Sequence, residues 1–266
     1  MDKIIAIVIS LLLVSCVATK PATEAPTEST PQAEVRTVPY TELLTLTEEY
    51  PHNTESFTQG LFFYNGIMYE STGRYGESKL YKGIDIKSGQ SEMSYAFDNQ
   101  TFAEGSAVLD GTLYVLTYKQ NKAYTFHPET LEMQSTIKYP REGWGLTTDG
   151  EQLIASDGTP TLYFMDGSLN VLSTVTVTRN GTPLKNINEL EYINGEIWAN
   201  IWQSDEIVII DPKTGEVTQA IDFKDLYTPE NPTADTVLNG IAYNESNGKI
   251  YITGKYWGKM FELEIK

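Results

Sequence analysis

The chain offers little of the chemistry that cysteine and histidine provide. It has one cysteine among 266 residues, so no disulfide can form within the chain. Its two histidines, His52 and His127, lie far apart in the sequence, and a histidine-based metal site is not expected. The chain also lacks a G-x-S-x-G elbow, a Walker loop and a C-x-x-C pair. Hydrolase-elbow, nucleotide-binding and redox interpretations therefore have no support.

Basic residues are scarce. The chain has 19 Lys and Arg against 36 Asp and Glu, which gives a net charge of −17 at pH 7. Nucleic-acid phosphates would be repelled, and there is no cluster of Lys or Arg that would release their counterions. The sequence therefore predicts no nucleic-acid partner. An acidic surface of this kind keeps a secreted protein soluble.

A long hydrophobic run is also missing. Residues 1–15 carry Lys3 followed by a short apolar run, which is too short to span a bilayer as a helix but is typical of a signal peptide. The run ends in L-V-S-C, which resembles the cleavage box of bacterial lipoproteins with Cys16 as the lipidated residue. The alternative is an ordinary signal peptide with an incidental cysteine.

The next segment, up to about residue 36, is rich in Pro, Thr, Ala and Glu and cannot bury a core. We therefore predict a lipoprotein signal peptide over residues 1–16, a flexible tether over 17–38 and a folded catalytic domain over 39–266. The expected location is the bacterial cell envelope. The lipid on Cys16 would be the membrane anchor, with the domain facing the periplasm or the cell surface.

The rest of the chain restarts one short phrase five times. The restarts are F-T-Q-G-L (57–61), F-A-E-G-S (102–106), G-W-G-L (143–146), I-N-E-L (187–190) and L-N-G-I (238–241). Each is followed by a Gly-containing turn and a strand, and they recur every 40 to 50 residues. This period is typical of propeller blades, so we predict an all-β, five-bladed β-propeller. Residues 40–50 show the alternation of apolar and polar side chains that is typical of a strand. We expect this strand to pair with the last blade and close the ring.

Equivalent positions of a radial array converge on one axis. The polar or aromatic residues of the restarts should therefore meet in one pocket: Gln59, Glu104, Trp144, Asn188 with Glu189, and Asn239. The second strands end in further polar or aromatic groups, namely Tyr118, Trp202 and Lys255. We expect these ends to form the rim of the same pocket.

The motifs F-T-Q-G-L, F-x-E-G, N-E-L-E-Y-x-N-G-E-I-W-A-N-I-W and L-N-G-I-A-Y…T-G-K-x-W resemble those of the plant- and bacterial-type glutaminyl cyclases. The resemblance covers about residues 47–264. It implies a five-bladed propeller that cyclises the N-terminal glutamine of peptides or proteins to pyroglutamate with loss of ammonia. It also implies that no cofactor or metal is needed, unlike in the zinc cyclases of animals. We expect a monomer.

The family's functional positions fall on Phe57, Gln59, Glu104, Trp144, Asn188, Trp202 and Lys255. One departure is Tyr118, which stands in L-T-Y where the family usually has L-T-W. Position 118 keeps an aromatic side chain, but its shape and polarity differ from those of tryptophan, so an effect on substrate preference is expected.

Cyclisation requires a proton to leave the substrate's α-amine and to reach the departing ammonia. We assign this shuttle to Glu104. Lys255 or Gln59 would face the developing negative oxygen, and Asn188 would hold the folded-back substrate. The aromatic residues would form a dry, substrate-binding box: Phe57, Tyr118, Trp144 and Trp202.

Two other classes of protein remain open at this point. One is a non-catalytic propeller lipoprotein that binds a peptide or a sugar. The other is a metal-dependent, lactonase-like propeller hydrolase, with oxygen ligands from Glu104, Asn188, Glu189 and Asn239. An ammonium such as that of Lys255 would compete with a cation, which argues against the second.

Overall fold

The structure, a computed structural model, describes residues 34–266. The predicted signal peptide, Cys16 and most of the predicted tether lie outside the described residues. Within residues 34–266, no helix has the length and apolar character needed to cross a bilayer.

The described chain is almost entirely β-structure. It begins with β1 (Thr37–Pro39), the short helix α1 (Tyr40–Leu43) and β2 (Leu44–Pro51). The first sheet contains β3 (Thr58–Tyr64), β4 (Ile67–Thr72), β5 (Lys79–Asp85) and β6 (Gln90–Ala96). The second contains β7 (Ala103–Leu109), β8 (Thr112–Thr117), β9 (Lys122–Phe126) and β10 (Met133–Lys138).

The remaining sheets follow the same order. The third contains β11 (Leu146–Thr148), β12 (Leu153–Ala155), β13 (Thr161–Met165) and β14 (Val171–Thr176), and is followed by a hairpin of β15 (Thr178–Arg179) and β16 (Thr182–Pro183). The fourth contains β17 (Ile187–Ile193), β18 (Glu196–Ile201), β19 (Glu206–Ile210) and β20 (Val217–Asp222), and the fifth contains β21 (Leu238–Asn244), β22 (Lys249–Gly254) and β23 (Lys259–Ile265).

The five sheets are the blades of a closed ring. Their first strands are neighbours in a circle: β3 contacts β7, β7 contacts β11, β11 contacts β17, β17 contacts β21, and β21 contacts β3. The predicted five-bladed propeller is therefore confirmed.

Strands from the beginning of the described chain complete two blades. β2 pairs antiparallel with β23, with Glu49 opposite Phe261, and so forms the outer strand of the fifth blade. This is the closing strand that the alternation of residues 40–50 predicted. β1 pairs in parallel with β20, with Thr37 opposite Ala220, and adds a fifth strand to the fourth blade. Residues 37 and 38, which the sequence analysis assigned to the tether, thus lie in a strand.

Glycine in the repeated phrase is a packing requirement. A Cβ atom at Gly105 would lie 2.4 Å from the backbone N of Leu146, and one at Gly145 would lie 2.1 Å from the carbonyl oxygen of Asn188. A Cβ atom at Gly60 would meet the neighbouring inner strand in the same way. Because only glycine permits this spacing, the inner strands come close enough to form a narrow central channel.

The fourth inner strand departs from this pattern. The third residue of β3, β7 and β21 is glycine, whereas the third residue of β17 is Glu189. The carboxylate of Glu189 accepts hydrogen bonds from the backbone N–H of Leu61 at 3.3 Å and of Ile241 at 2.9 Å. This one side chain, at the position where the other strands have glycine, therefore joins the first, fourth and fifth blades across the channel.

Candidate active site

One end of the ring carries the five residues that each directly precede a channel position, where the channel positions are Gly60, Gly105, Gly145, Glu189 and Gly240. Gln59, Glu104, Asn188 and Asn239 are the second residues of their inner strands, and Trp144 lies two residues before β11. Gln59, Glu104 and Asn188 are 3–4% exposed, Asn239 is fully buried and Trp144 is partly buried. Buried polar groups at equivalent positions of a radial array are typical of a binding site on the axis.

Glu104 is the second residue of β7. Its carbonyl oxygen accepts a 2.6 Å hydrogen bond from Ser71 Oγ of the first blade, which fixes the backbone at this point. Burial raises the pKa of the Glu104 carboxyl well above its ordinary value, the positive charge of Lys255 opposes this, and the Glu142 carboxylate adds to it. A carboxyl with a raised pKa is suited to exchanging a proton rather than to staying ionised.

Lys255 directly follows β22 and is 3% exposed. Its backbone N–H donates to Val237 O at 2.8 Å, and its ammonium lies 4.3 Å from the centroid of the Phe57 ring. Burial lowers the pKa of Lys255 to about 8, against the opposing effect of Glu104. The end of the fifth blade thus brings an amine with a low pKa to the aromatic wall, near the carboxyl of Glu104.

The orientation of the Gln59 amide follows from its partners. Thr58 O, a carbonyl that only accepts, lies 2.8 Å from the side-chain amide of Asn239, so the Asn239 atom there is Nδ2. The same Nδ2 lies 3.4 Å from Gln59, whose nearer atom is therefore the acceptor Oε1. The Nε2 donor of Gln59 is left for other partners. Gln59 is thus oriented as a hydrogen-bond donor.

Asn188 lies at the start of β17. Its carbonyl oxygen accepts a 2.7 Å hydrogen bond from Ser156 Oγ, and Ser156 Oγ in turn accepts from Gly145 N at 2.8 Å. This chain of bonds joins the third and fourth blades and fixes the backbone that carries the Asn188 side chain.

One part of the aromatic wall surrounds Phe57. Its ring packs edge to face against Phe102 at 5.9 Å and against Tyr256 at 5.3 Å between centroids. Phe102 lies 5.6 Å from Tyr118 in turn. Phe102 and Tyr256 were not among the site residues predicted from the sequence. The signal for Phe102 was available, because it opens F-A-E-G just as Phe57 opens F-T-Q-G.

The other part of the wall contains the two tryptophans. Trp144 and Trp202 pack edge to face at 5.7 Å, and Trp202 is 39% exposed. The Nε1–H of Trp144 donates to Glu142 at 3.3 Å, and Glu142 pairs with Lys119 at 3.4 Å. The Lys119 ammonium lies 4.4 Å from the ring centroid of Tyr118. A rim of alternating charged and aromatic groups therefore connects the two parts of the wall.

Arg74 is a further group that was not predicted from the sequence. Its guanidinium carbon lies 4.5 Å from the Phe57 ring centroid, and its Nε–H donates to Tyr256 OH at 3.1 Å. Its Nη2 pairs with Asp235. Arg74 is in the first blade and follows β4, so this pair joins the first blade to the segment before the fifth.

Glu189 is not part of this pocket, because both of its carboxylate oxygens accept the channel N–H groups described above. Burial, together with the nearby Glu191, raises its pKa well above the ordinary value. Glu191 lies further along the same strand and lines a cavity of about 1050 Å³ at the other end of the ring, beside Thr147 and Asn65. Within residues 34–266, no group of three or more His, Cys, Asp or Glu is arranged to hold a metal ion.

The fold and the site define the class of protein: a five-bladed β-propeller with a buried carboxyl and a buried amine in an aromatic pocket at one end of its ring. The family model of the glutamine cyclotransferases matches residues 9–265. The chain therefore belongs to the glutamine cyclotransferase family.

Two relatives agree with this assignment. A glutaminyl-peptide cyclotransferase of Arabidopsis thaliana is 38% identical over 224 residues, which are 82% of this chain and 70% of the relative. The crystal structure of Myxococcus xanthus glutaminyl cyclase superimposes with a TM-score of 0.78 and 36% identity, covering 84% of this chain and 96% of that one. These matches favour the cyclotransferase over the binding-propeller and lactonase-like alternatives.

Proposed function

We propose that the chain is a glutaminyl-peptide cyclotransferase, which converts the N-terminal glutamine of peptides or proteins to pyroglutamate and releases ammonia. The observation that carries this proposal is the burial of Glu104 and Lys255 in one aromatic pocket, where the pKa of the carboxyl is raised and that of the amine is lowered. Groups tuned in this way are matched to proton transfer and to stabilising a developing charge.

Glu104 moves the proton in the proposed mechanism. The neutral α-amine of the substrate attacks the carbon of its own γ-carboxamide, and the amine proton passes to the Glu104 carboxylate. The tetrahedral intermediate then collapses and the C–N bond to the amide nitrogen breaks. Glu104 returns the proton to that nitrogen, which leaves as ammonia. One carboxyl thus acts first as a base and then as an acid.

The intermediate carries a negative charge on the former carboxamide oxygen. Lys255 stabilises this charge with its ammonium, and the Nε2 group of Gln59 adds an oriented donor. Asn188 positions the substrate in the folded-back geometry that ring closure requires. The rings of Phe57, Tyr118, Trp144 and Trp202 enclose the methylenes of the glutamine and exclude water.

Ammonia release tests the proposal directly. The purified protein, incubated with a dipeptide that begins with glutamine, should release one ammonia for each pyroglutamyl product detected by mass spectrometry. A matched dipeptide that begins with asparagine should release far less, because its shorter side chain would close a strained four-membered ring. Absence of ammonia from the glutamine dipeptide would favour the binding propeller.

Chelation separates the cyclotransferase from a metal-dependent enzyme. After extended dialysis against EDTA we expect turnover to stay within about twofold, since no step above uses a Lewis acid. The control is a parallel sample dialysed without EDTA. Activity that disappears with the chelator and returns with zinc or calcium would instead support the lactonase-like hypothesis.

We further propose that the protein is a monomeric lipoprotein of the bacterial cell envelope, anchored through Cys16. The motif L-V-S-C and the stretch up to about residue 36, rich in Pro, Thr, Ala and Glu, support the lipid anchor. A chain that begins at Glu34 keeps Val35, whose backbone N–H donates to Asn180 Oδ1 at 2.8 Å. We expect it to be soluble and fully active.

Cys16→Ser in the full-length protein should abolish lipid attachment, as measured by mass spectrometry of the membrane fraction. Absence of lipid from wild-type Cys16 in the native host would refute the anchor.

A further inference from the structure

A buried ion pair lies beside the pocket and takes no part in the chemistry above. His52 Nδ1 lies 2.9 Å from the carbonyl oxygen of Trp257, and His52 Nε2 lies 3.2 Å from Glu70 Oε1. The carbonyl oxygen of Trp257 can only accept, so His52 donates from Nδ1, and an ionised Glu70 accepts from Nε2 of the protonated ring. The His52 and Glu70 side chains are 4% and 3% exposed.

The electrostatics agree with this protonation state. Burial by itself lowers the pKa of His52, but the Glu70 carboxylate and the hydrogen bonds to Glu70 and Trp257 raise it above its ordinary value. Burying an ion pair costs free energy of desolvation. The role of this pair in the protein is therefore sought in its contacts with the rest of the molecule.

Glu70 holds the segment that carries Phe57. Its Oε1 accepts a 2.7 Å hydrogen bond from Thr58 Oγ1, and its Oε2 accepts a 3.3 Å bond from Ser56 Oγ. These two hydroxyls are on either side of Phe57 in the sequence. The carboxylate therefore fixes the backbone before and after the ring that meets the Lys255 ammonium.

His52 holds the turn that carries Lys255. Its imidazolium donates to Trp257 O as described, and its backbone N–H donates to Gly258 O at 3.1 Å. Trp257 N in turn donates to Gly254 O at 3.1 Å, which closes the turn around Lys255. The imidazolium therefore fixes one end of this turn.

The two segments also touch directly. Tyr256 N donates to Ser56 O at 2.7 Å, between the residue before Phe57 and the residue after Lys255. Together these bonds fix the position of the fifth blade relative to the first at the place where the Lys255 ammonium lies 4.3 Å from the Phe57 ring.

We propose that His52 and Glu70 are positioning residues for the reaction, whose ion pair sets the distance and direction of the Lys255 ammonium relative to Phe57 and the substrate. This inference rests on the proposed function. It predicts an effect on turnover that passes through Lys255, whereas a pair that only stabilises the ring would lower the free energy of unfolding without such coupling. Displacement of a reacting group by about 1 Å is known to cost as much as about 10²-fold in rate.

The test uses variants that alter the pair with little change of shape. Glu70→Gln keeps a hydrogen-bond acceptor for Thr58 but removes the negative charge. His52→Asn keeps a donor for the carbonyl oxygen of Trp257 but removes the contact with Glu70. We expect each to lower kcat on a glutamine dipeptide by at least about tenfold, with KM changed less than about threefold.

The matched control is Glu262→Gln. Glu262 is 9% exposed and accepts hydrogen bonds from the hydroxyls of Tyr50 and Tyr251, away from Lys255. The Glu262→Gln substitution should lower the melting temperature but leave kcat within about twofold of the wild type. A loss of kcat in Glu262→Gln as large as in Glu70→Gln would overturn the proposal.

A double-mutant cycle with Lys255 distinguishes a positioning role from a purely structural one, because only a positioning role predicts coupling between the two residues. In the Lys255→Met background, Glu70→Gln should change kcat by less than about twofold, because the group it positions is gone. A tenfold loss in both backgrounds, or full activity of Glu70→Gln, would overturn the proposal. If the charge variants do not fold, Thr58→Val replaces them in the same double-mutant cycle with Lys255→Met. This substitution removes one hydrogen bond to Glu70 and keeps the ion pair.

The outcomes also separate this inference from the proposed function. If the wild-type protein releases no ammonia, the cyclotransferase assignment fails. If the wild type is active and the Glu70 and His52 variants keep its kcat, the assignment stands and the positioning role is wrong.

Discussion

Glu104→Gln should lower kcat by about 10²- to 10⁴-fold, the usual contribution of a general acid–base residue. The substitution keeps the size of the side chain and removes the group that titrates. Burial raises the pKa of this carboxyl, so a neutral amide should fit its surroundings well and leave the fold intact. The measurement is the initial rate of ammonia release from a glutamine dipeptide, with circular dichroism and the melting temperature as checks on folding.

Glu189→Gln is the matched control. Glu189 is also buried with a raised pKa, but its oxygens accept the N–H groups of Leu61 and Ile241 inside the channel. An amide oxygen can replace one of these acceptors, so we expect some loss of stability and kcat within about threefold. If Glu104→Gln retained near-normal turnover, the proton shuttle would have to be another carboxylate. Glu142, which contacts Trp144 at the rim, would be the first to test.

The repeat in the sequence was enough to predict the ring. Five restarts at a regular period imply five equivalent units, and equivalent units around an axis bring their first residues together. Gln59, Glu104 and Asn188 could therefore be grouped although they are far apart in the chain. The ends of the second strands placed Trp202 and Lys255 at the rim of the same pocket, and the resemblance to glutaminyl cyclases added Phe57 and the roles of these residues.

Groups that depend on contacts between non-equivalent positions could not be predicted in this way. Arg74 and His52 lie in no repeated motif, and their partners Asp235 and Glu70 belong to other elements. Glu189 was visible in the sequence, but its role follows from its hydrogen bonds to the backbone N–H groups of Leu61 and Ile241, which belong to two other blades. β1 lies just after a segment whose composition is typical of a tether, and its pairing with β20 is a tertiary contact.

Lys255→Met should cost on the order of 3 kcal/mol in the free energy of activation, about 10²-fold in kcat, which is the value of one oxyanion donor. Methionine retains most of the aliphatic stem of the lysine, so the loss is mainly that of the ammonium, which lies 4.3 Å from the Phe57 ring centroid. Because this charge acts mostly in the transition state, kcat should fall more than KM rises. Normal kcat with a raised KM would make Lys255 a substrate-docking residue and Gln59 the principal oxyanion donor.

The pH dependence of kcat/KM provides a second test of the same residue. The pKa of Lys255 is lowered to about 8, so its ammonium is present below that pH and is lost as the pH rises through it. Deprotonation of the substrate's α-amine raises kcat/KM over this range in every variant, and relative to that rise the wild type should lose activity with a midpoint near pH 8, a value that belongs to the Glu104–Lys255 pair as a whole. Lys255→Met should lack this alkaline loss. Lys255→Arg should also lack it, since a guanidinium stays charged, but its planar fork does not reproduce a compact charge and should restore only part of kcat. An alkaline midpoint that is unchanged in both variants would assign the titration to a different group and would remove the electrostatic argument for Lys255.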